Sequence, residues 1–576
     1  MKSLITLITC ILVSINLVAG ERQAIWPKGK MPDYQEHQIA AMADEAGEDK
    51  FNADKHRIAY IEWYDAPAPD IHTGGCVILI SGGGYQRCCD VQLIKKWNET
   101  FTRLGFQCVN FVYRTPRPVG LPIYQSAWED GQRAVRMVRS QAEKRGFDPE
   151  KIGVISMSAG SHLGLLLATS SQTEAYAGID KTDELPCHIN WAIINAPAYG
   201  TTDAENGTPS SRQGYGADVS LSDVFKFDEK TCPMSLHHGG IDPYSPYTST
   251  LVYRKLRQKG IPAELHLYAD KGHGAFGLDR GIEFLRQIGY MGELGEEVEL
   301  KSRYADDSSR AIQLSQNIWP EGKTPDFNEH QCTPYIEWHI PDTLRTRAIQ
   351  IIYSGGGYNQ NDPNSFEVAP MRRYLNQKGM AVVTLKYRTP RPTGLAKHTT
   401  AWQDLQRTIK LVRSQAKEKG LDPDRIGIMG SSAGGHLTLM GATSSRHQSY
   451  AEIDEIDRQS CKVQWGVGIY PAYVLSDGID GANSDQGNHD ENIIVPDFSF
   501  DLDTAPMIFL HGDADGYSAM GSVKVWEKMA SMGIQSELHT LALEPHCFQY
   551  NAYPGTASYT HLDRIWDFLT AKGFNK

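Results

Sequence analysis

The chain has 576 residues, 40% hydrophobic and 22% charged, which is enough apolar surface for a sizeable core and excludes a mainly disordered polymer. Its 57 Lys and Arg against 69 Asp and Glu leave a net charge of −12, which argues against nucleic acid as a partner, since tracking a phosphate backbone needs a basic stripe. The length implies two large domains, and no apolar run beyond residue 20 is long enough to span a bilayer.

At the start of the chain, Lys2 precedes an apolar stretch from Leu4 to Val18 that ends in Ala19 and Gly20. This pattern reads as a secretory signal peptide over residues 1–20, cleaved near Gly20, and implies a secreted or periplasmic protein. No cysteine stands at the cleavage point, so no membrane anchor is expected there. Beyond Cys10, Cys76, Cys88, Cys89, Cys108, Cys187 and Cys232 fall in the first half, and Cys332, Cys461 and Cys547 in the second. Their spacing matches no zinc motif. Most are expected as small buried hydrophobes, with one or two disulfides among them.

The dominant organisational signal is an internal duplication. Ile25-Trp26-Pro27 returns as Ile318-Trp319-Pro320, and Tyr60-Ile61-Glu62-Trp63 as Tyr335-Ile336-Glu337-Trp338. Ser81-Gly82-Gly83-Gly84-Tyr85 returns as Ser354-Gly355-Gly356-Gly357-Tyr358, and Tyr113-Arg114-Thr115-Pro116-Arg117-Pro118 recurs unchanged at 387–392. The shrinking offset between the paired tryptophans places an insertion around 39–56 of the first copy, read as a surface insertion. A period this long means tandem domains, because solenoid repeats run only about 20–50 residues. The expected organisation is a first domain over 21–295 and a second over 296–576, with an acidic linker near 292–310.

Within the first copy, Cys76–Ile80, Cys108–Tyr113, Ile152–Ser156, Trp191–Asn195 and Met234–His237 read as buried parallel strands. The segment 124–145 has helical periodicity and stops before Asp148-Pro149. Another helix is expected to start near Ala159. Strand and helix in alternation imply a mostly parallel sheet covered on both faces.

Ser156-Met157-Ser158-Ala159-Gly160 and Gly430-Ser431-Ser432-Ala433-Gly434 each lie between a strand-like run and a helix-forming run. Small residues on both sides of the serine permit the sharp turn that lifts its hydroxyl above a sheet at a helix N-terminus. A nucleophilic serine needs a base and a group to orient that base. The first copy offers Asp242 in His238-Gly239-Gly240-Ile241-Asp242, and His273 in Lys271-Gly272-His273-Gly274. The second offers Asp515 in His511-Gly512-Asp513-Ala514-Asp515, and His546 in Pro545-His546-Cys547. The order Ser, Asp, His is that of the α/β-hydrolases. Gly83 and Gly84 with the Ala159 amide, and Gly356 and Gly357 with the Ala433 amide, are the candidate oxyanion donors.

Taken singly, each feature has a bland reading: a glycine run is usually a tight turn, and a lone histidine is usually structural. Their recurrence in order and in duplicate removes chance as an explanation. Arg114/Asp130 and Arg388/Asp404 read as buried structural ion pairs. Trp26, Trp63, Trp128, Trp319, Trp338 and Trp402 read as core, with a sugar-binding cleft as the alternative. Asp480, Asp485 and Asp490 lack the spacing of a calcium-binding loop and read as solvated.

Ser-Gly-Gly-Gly-Tyr, Tyr-Arg-Thr-Pro, Asp-Pro-x-(Lys/Arg)-Ile-Gly and Ser-Ala-Gly-(Ser/Gly)-His-Leu together resemble the secreted bacterial α/β-hydrolase esterases, in particular the acetylxylan and feruloyl esterases. The resemblance covers nearly all of both copies. It implies two tandem α/β-hydrolase domains, each a mostly parallel sheet flanked by helices. It also implies cleavage of acetyl or hydroxycinnamoyl esters on hemicellulose-like polysaccharide through an acyl-serine, without metal or organic cofactor. The catalytic roles it transfers fall on Ser158, Asp242 and His273, and on Ser432, Asp515 and His546.

Both copies depart from the family pattern. Ser156 stands where the elbow usually has glycine, and Ser161 where the second copy has Gly435. Pro545 stiffens the loop that must place the His546 imidazole. Neither change deletes a catalytic group, so two competent sites are expected. The divergent stretches 200–231 and 474–505 are expected above the sites, where loops set specificity. The rival readings are a serine peptidase of the prolyl-oligopeptidase type and a non-catalytic polysaccharide-binding protein.

Overall fold

The computed structural model describes residues 21–40, 42, 58–64, 72–89, 91–207, 219–274, 277–291, 312–476, 493–551, 556 and 558–576. The candidate signal peptide, the linker near 292–310 and Asp480, Asp485 and Asp490 lie outside these residues, as does most of the insertion around 39–56. The described start of that insertion is not at the surface. Ala40 is fully buried, and Ile39 exchanges backbone hydrogen bonds of 2.6 and 2.8 Å with Thr115.

Packing divides the chain into two compact units: residues up to Val154 with Ala175–Cys187, and Ile155–Glu174 with His188–Lys576. The first holds β1 (Arg22–Ala24), β2 (Tyr60–Trp63), β3 (Cys76–Ile80), α1 (Val91–Arg103), β4 (Gln107–Val112), α2 (Gln125–Ser140) and α3 (Ala142–Arg145). Its strands run in the order β1-β2-β4-β3, with β3 and β4 parallel and β1 and β2 antiparallel at the edge. The helix expected over 124–145 is broken at Gln141, and Gly146 closes it in the left-handed region at φ 72°. The Asp130 carboxylate accepts from the Arg114 backbone N–H at 2.8 Å, from Arg114 Nε at 2.9 Å and from Trp26 Nε1 at 2.6 Å. Asp404 repeats these bonds with Arg388 and Trp319. All six tryptophans read as core are buried.

The division falls within β5 (Ile152–Met157). The second unit continues with α4 (Ala159–Thr169), β6 (Trp191–Asn195), β7 (Met234–Gly239), α5 (Tyr247–Gln258), β8 (Ala263–Tyr268) and α6 (Leu278–Gln287). The second copy follows as β9 (Ile312–Asn317), β10 (Tyr335–Ile340), β11 (Ile349–Tyr353), α7 (Ala369–Gln377), β12 (Ala381–Lys386), α8 (Thr399–Ala416), β13 (Ile426–Ser431) and α9 (Ala433–Thr443). It ends with β14 (Trp465–Ile469), β15 (Met507–Gly512), α10 (Met520–Ser531), β16 (Glu537–Leu541) and α11 (His561–Ala571). From β12 through β11, β13, β14 and β15 to β16 the strands are parallel, and β10 and β9 extend the edge antiparallel.

Side chains alternate across each strand, so neighbouring residues serve opposite helical layers. Met429, Val467 and Ile469 pack with Met371 and Leu375 of α7 and Ile565 and Phe568 of α11. Ile428 lies on the other side, where a Cβ on Gly441 of α9 would come within 2.5 Å of it. Each of the buried Val, Leu, Ile, Met and Phe side chains contributes roughly 1.5–3 kcal/mol to stability.

The packing division differs from the division by repeat because β8 of the first copy pairs antiparallel with β16 of the second. His266 lies opposite His539, with their Nδ1 atoms 2.9 Å apart. Beside them, Asp513 accepts from Tyr253 at 2.6 Å and Arg257 at 2.9 Å.

This joint gives stability a defined pH dependence. Burial, with Arg280, His539 and Arg564 nearby, holds His266 well below the ordinary histidine range; burial also lowers His237 and His539. His266 and His237 stay neutral in the folded protein, whereas the unfolded chain protonates near pH 6.5. The unfolded state therefore binds more protons as pH falls, and stability is lost by about 1.4 kcal/mol per such histidine per pH unit below about 6.5. The thermal midpoint is expected to drop steadily from pH 7 to pH 5, with a shallower slope in His266→Gln. A flat profile in the wild type would refute this.

The nine cysteines beyond Cys10 are all free thiols, so the expected one or two disulfides do not form. Cys76, Cys88, Cys108, Cys187 and Cys232 are instead buried as small core side chains. The Cys88 thiol donates to the Tyr113 carbonyl at 3.5 Å.

Candidate active site

Each candidate nucleophile occupies the single residue between a buried strand and a buried helix: Ser158 between β5 and α4, Ser432 between β13 and α9. Both adopt positive φ, 58° and 55°, a conformation that costs a non-glycine residue free energy and is held by the surrounding strand and helix. The hydrogen bonds from Ser158 N to Asn195 O and from Ser432 N to Ile469 O, both 3.0 Å, tie each elbow to the next strand. Ala159 and Ala433 are the first helical residues, so their N–H groups have no intrahelical acceptor.

In the first copy His273 Nε2 lies 2.7 Å from Ser158 Oγ, and its Nδ1 lies 3.0 and 2.9 Å from the two Asp242 oxygens. In the second, His546 Nε2 lies 2.8 Å from Ser432 Oγ and Nδ1 lies 2.7 Å from Asp515 Oδ2. The acid follows β7 or β15 and the histidine follows β8 or β16, so adjacent strand ends bring together groups far apart in sequence. Pro545 does not displace the imidazole. Of the two aspartates in the His511–Asp515 run, Asp513 turns to Tyr253 and Arg257, and Asp515 alone meets the histidine.

A second histidine in each copy had no role assigned from sequence. His238 Nε2 reaches the Tyr244 carbonyl at 2.9 Å and Asp242 Oδ2 at 3.4 Å, while Nδ1 meets Ser249 Oγ at 2.9 Å. His511 repeats this with Tyr517, Asp515 and Ser522. These partners assign the proton to Nε2, so the ring donates toward the carboxylate. The backbone N–H of Tyr244 or Tyr517 donates to the other oxygen at 2.8 or 2.7 Å. Burial pushes both acids upward, but bonds from His238 and His273, or His511 and His546, outweigh it and hold each carboxyl below the usual range. The identical His-Gly-x-x-Asp-x-Tyr spacing in both copies was the available signal.

In the first unit, Gly83 (φ 122°) and Gly84 (φ 66°) follow β3. A Cβ on Gly83 would fall 2.1 Å from the Arg87 carbonyl oxygen, so only glycine fits that turn. In the second copy Gly356 makes the same turn, with Gln360 O 2.4 Å from a Cβ. Gly355 lies against the nucleophile elbow, where a Cβ would meet Ser432 Cβ at 2.6 Å. Its N–H donates to buried Glu367 at 2.7 Å, so that amide is engaged while Gly356 and Gly357 line the cleft with Ser432 and His546. Glu367 escaped the sequence reading because the first copy has only Leu93 and Ile94 at the corresponding place.

The departures at the first elbow compensate one another. Ser156 Oγ lies 3.1 Å from Ser161 Oγ, which donates to the Asn195 carbonyl at 2.7 Å. In the second copy both serines are glycine, and the space is taken differently: a Cβ on Gly430 would stand 2.4 Å from Gly434 O and 2.6 Å from the Tyr353 ring. Gly430→Ser is therefore expected to destabilise the second copy by roughly 2 kcal/mol or more, measured by denaturant midpoint. Ser156→Gly should cost under about half that. Equal costs would contradict the compensation.

The second-copy cleft has a volume of about 640 Å³ and is walled by Phe366, Tyr473 and Tyr517 beside Ser432, His546 and Cys547. Burial pushes the Cys547 thiol up to about 12, so it stays protonated and does not compete with Ser432 as a nucleophile. Among the described residues no helix is long and apolar enough to cross a membrane.

Serine on the turn after the fifth strand, acid after the seventh and base after the eighth is the arrangement of the α/β-hydrolases, and this chain carries it twice. The BD-FAE family model matches residues 66–213 and 339–520, and the chain belongs to that family. It is 26% identical over 211 residues to endo-1,4-beta-xylanase B of Butyrivibrio fibrisolvens, covering 34% of this chain and 32% of that protein. It is 33% identical over 109 residues to the acetylxylan esterase of Xylanibacter ruminicola, covering 19% and 22%. Over 144 residues it is 28% identical to the probable carboxylic ester hydrolase LipM of Mycobacterium tuberculosis, covering 24% and 31%. The chain thus spans a third or less of the length of these relatives. Among solved structures it is similar to an acetyl ester-xyloside bifunctional hydrolase from Caldicellulosiruptor lactoaceticus, at 23% identity and TM-score 0.38 over 46% of this chain and 98% of that one. Thermogutta terrifontis esterase 2 gives 20% identity and TM-score 0.37 over 46% and 96%.

Proposed function

We propose that the chain is a secreted serine carboxylic-ester hydrolase that removes acetyl or hydroxycinnamoyl groups from hemicellulose-like polysaccharide, with an independent site in each copy. The observation that carries this reading is the duplicated line of hydrogen bonds from Asp through His to Ser. The relatives named for xylan and carboxylic esters support the substrate class.

Serine Oγ attacks the ester carbonyl as His273 or His546 Nε2 takes its proton. Asp242 or Asp515 fixes Nδ1–H and stabilises the imidazolium. The helix-terminal amides of Ala159 and Ala433 face the developing oxyanion, joined in the second copy by Gly356 and Gly357. Each such donor is worth about 3–4 kcal/mol. The imidazolium then protonates the leaving sugar oxygen, and water, deprotonated by the same Nε2, releases the acid from the acyl-serine.

The aromatic walls and volume of the second cleft suit a hydroxycinnamoyl group. Ser158→Ala, which leaves that site alone, is expected to keep ferulate release from acylated xylan, and Ser432→Ala to lose most of it. Identical acetate-to-ferulate ratios in the two variants would defeat the division of labour.

A further inference from the structure

The second copy holds a group of side chains that the ester chemistry does not use. His398 precedes α8, His436 sits in the first turn of α9, and Asp497 lies within the divergent stretch 474–505, before β15. One nitrogen of each histidine and one Asp497 oxygen lie within 4.8 Å of one another. His436 Nε2 is 3.2 Å, and His398 Nδ1 3.3 Å, from Asp497 Oδ2. Zinc ligands about 2.0–2.1 Å from a tetrahedral ion stand roughly 3.3–3.4 Å apart, so two edges of the required tetrahedron are already formed.

The surroundings match what a ligating histidine needs. The other nitrogen of His436, Nδ1, meets the Tyr358 hydroxyl at 2.8 Å, which fixes the ring and leaves Nε2 to ligate. His436 is buried, and His398 and Asp497 open onto a cavity of about 300 Å³ that His447, Ser444 and Ser449 also line. That cavity supplies an entry path and room for a water as fourth ligand. Lys397, whose field reaches all three groups, stands over the Tyr473 ring at 4.5 Å.

The duplication supplies an internal control. Lys226 and Ser499 N–H groups donate to Ser170 and Ser444 Oγ at 3.0 and 2.9 Å, which aligns Asp497 with Val224. His398 aligns with Tyr124, and only His436 has a histidine counterpart, His162, which packs against Phe225 at 5.2 Å. Two of the three ligands, His398 and Asp497, are therefore specific to the second copy.

We infer that His398, His436 and Asp497 form a binding site for a divalent transition-metal ion of the zinc type, confined to the second copy. The ion clamps the 493–499 segment to the starts of α8 and α9. Through His436 and Tyr358 it also braces the residue that follows the glycine run.

The test uses the full chain, stripped with a chelator and titrated with Zn²⁺ against a chromophoric competitor. One equivalent is expected to bind with a Kd below about 1 µM. His398→Tyr and Asp497→Val, which install the residues of the first copy, should each weaken binding at least about 100-fold. Should either variant fail to fold, Co²⁺ bound to the wild type is expected to show the intense visible bands of a four-coordinate site. Failure of the wild type to bind Zn²⁺ tighter than about 10 µM, equal binding in folded variants, or only weak six-coordinate Co²⁺ bands would each overturn the inference.

Discussion

Replacing Ser158 and Ser432 together with alanine is expected to lower kcat on a soluble aryl ester by about 10⁴-fold or more, whereas either single change leaves the other site working. The expectation follows from duplication. Each serine has its own histidine at 2.7 or 2.8 Å and its own carboxylate behind it, and neither set borrows a group from the other. Rates of the two single variants should therefore sum to the wild-type rate within error. A single variant as dead as the double would mean that one copy does no chemistry.

The second large effect concerns the acids. Asp515→Asn, measured in the Ser158→Ala background, is expected to cost about 10⁴ in kcat with little change in KM. An amide in place of the carboxylate stabilises the wrong imidazole tautomer and leaves the imidazolium uncompensated. His511 acts one step further back: its Nε2 proton points at the Tyr517 carbonyl and at Asp515, and its Nδ1 meets Ser522 rather than the nucleophile Ser432. His511→Gln should cost far less, and should show its effect as an altered pH profile of kcat. Equal losses from the two variants would mean that His511 does more than position the acid.

Much of this architecture is legible in the sequence because the chain states it twice. The small residues around Ser158 and Ser432, the glycine runs and the order Ser, Asp, His are local patterns with local causes. Less legible are features fixed by pairing across the fold. The short strands at Tyr60–Trp63 and Tyr335–Ile340 repeat faithfully, yet their antiparallel place, one strand in from the edge, depends on partners in β4 and β12. The joint between the copies is invisible in either repeat alone, since His266 and His539 meet only through the register of β8 on β16. The expected disulfides fail for a related reason: cysteines such as Cys76 and Cys108 fill core positions on separate strands, and sequence parity does not reveal that. Glu367, His398 and Asp497 break the repeat, so reading one copy against the other passes over them.

Intact-mass measurement after treatment with a fluorophosphonate tests the central claim most directly, because that reagent adds covalently to an activated serine. Two adducts per wild-type chain, one in each of Ser158→Ala and Ser432→Ala, and none in the double variant are predicted. An unmodified wild-type chain, or adducts that persist in the double variant, would contradict the assignment of these serines.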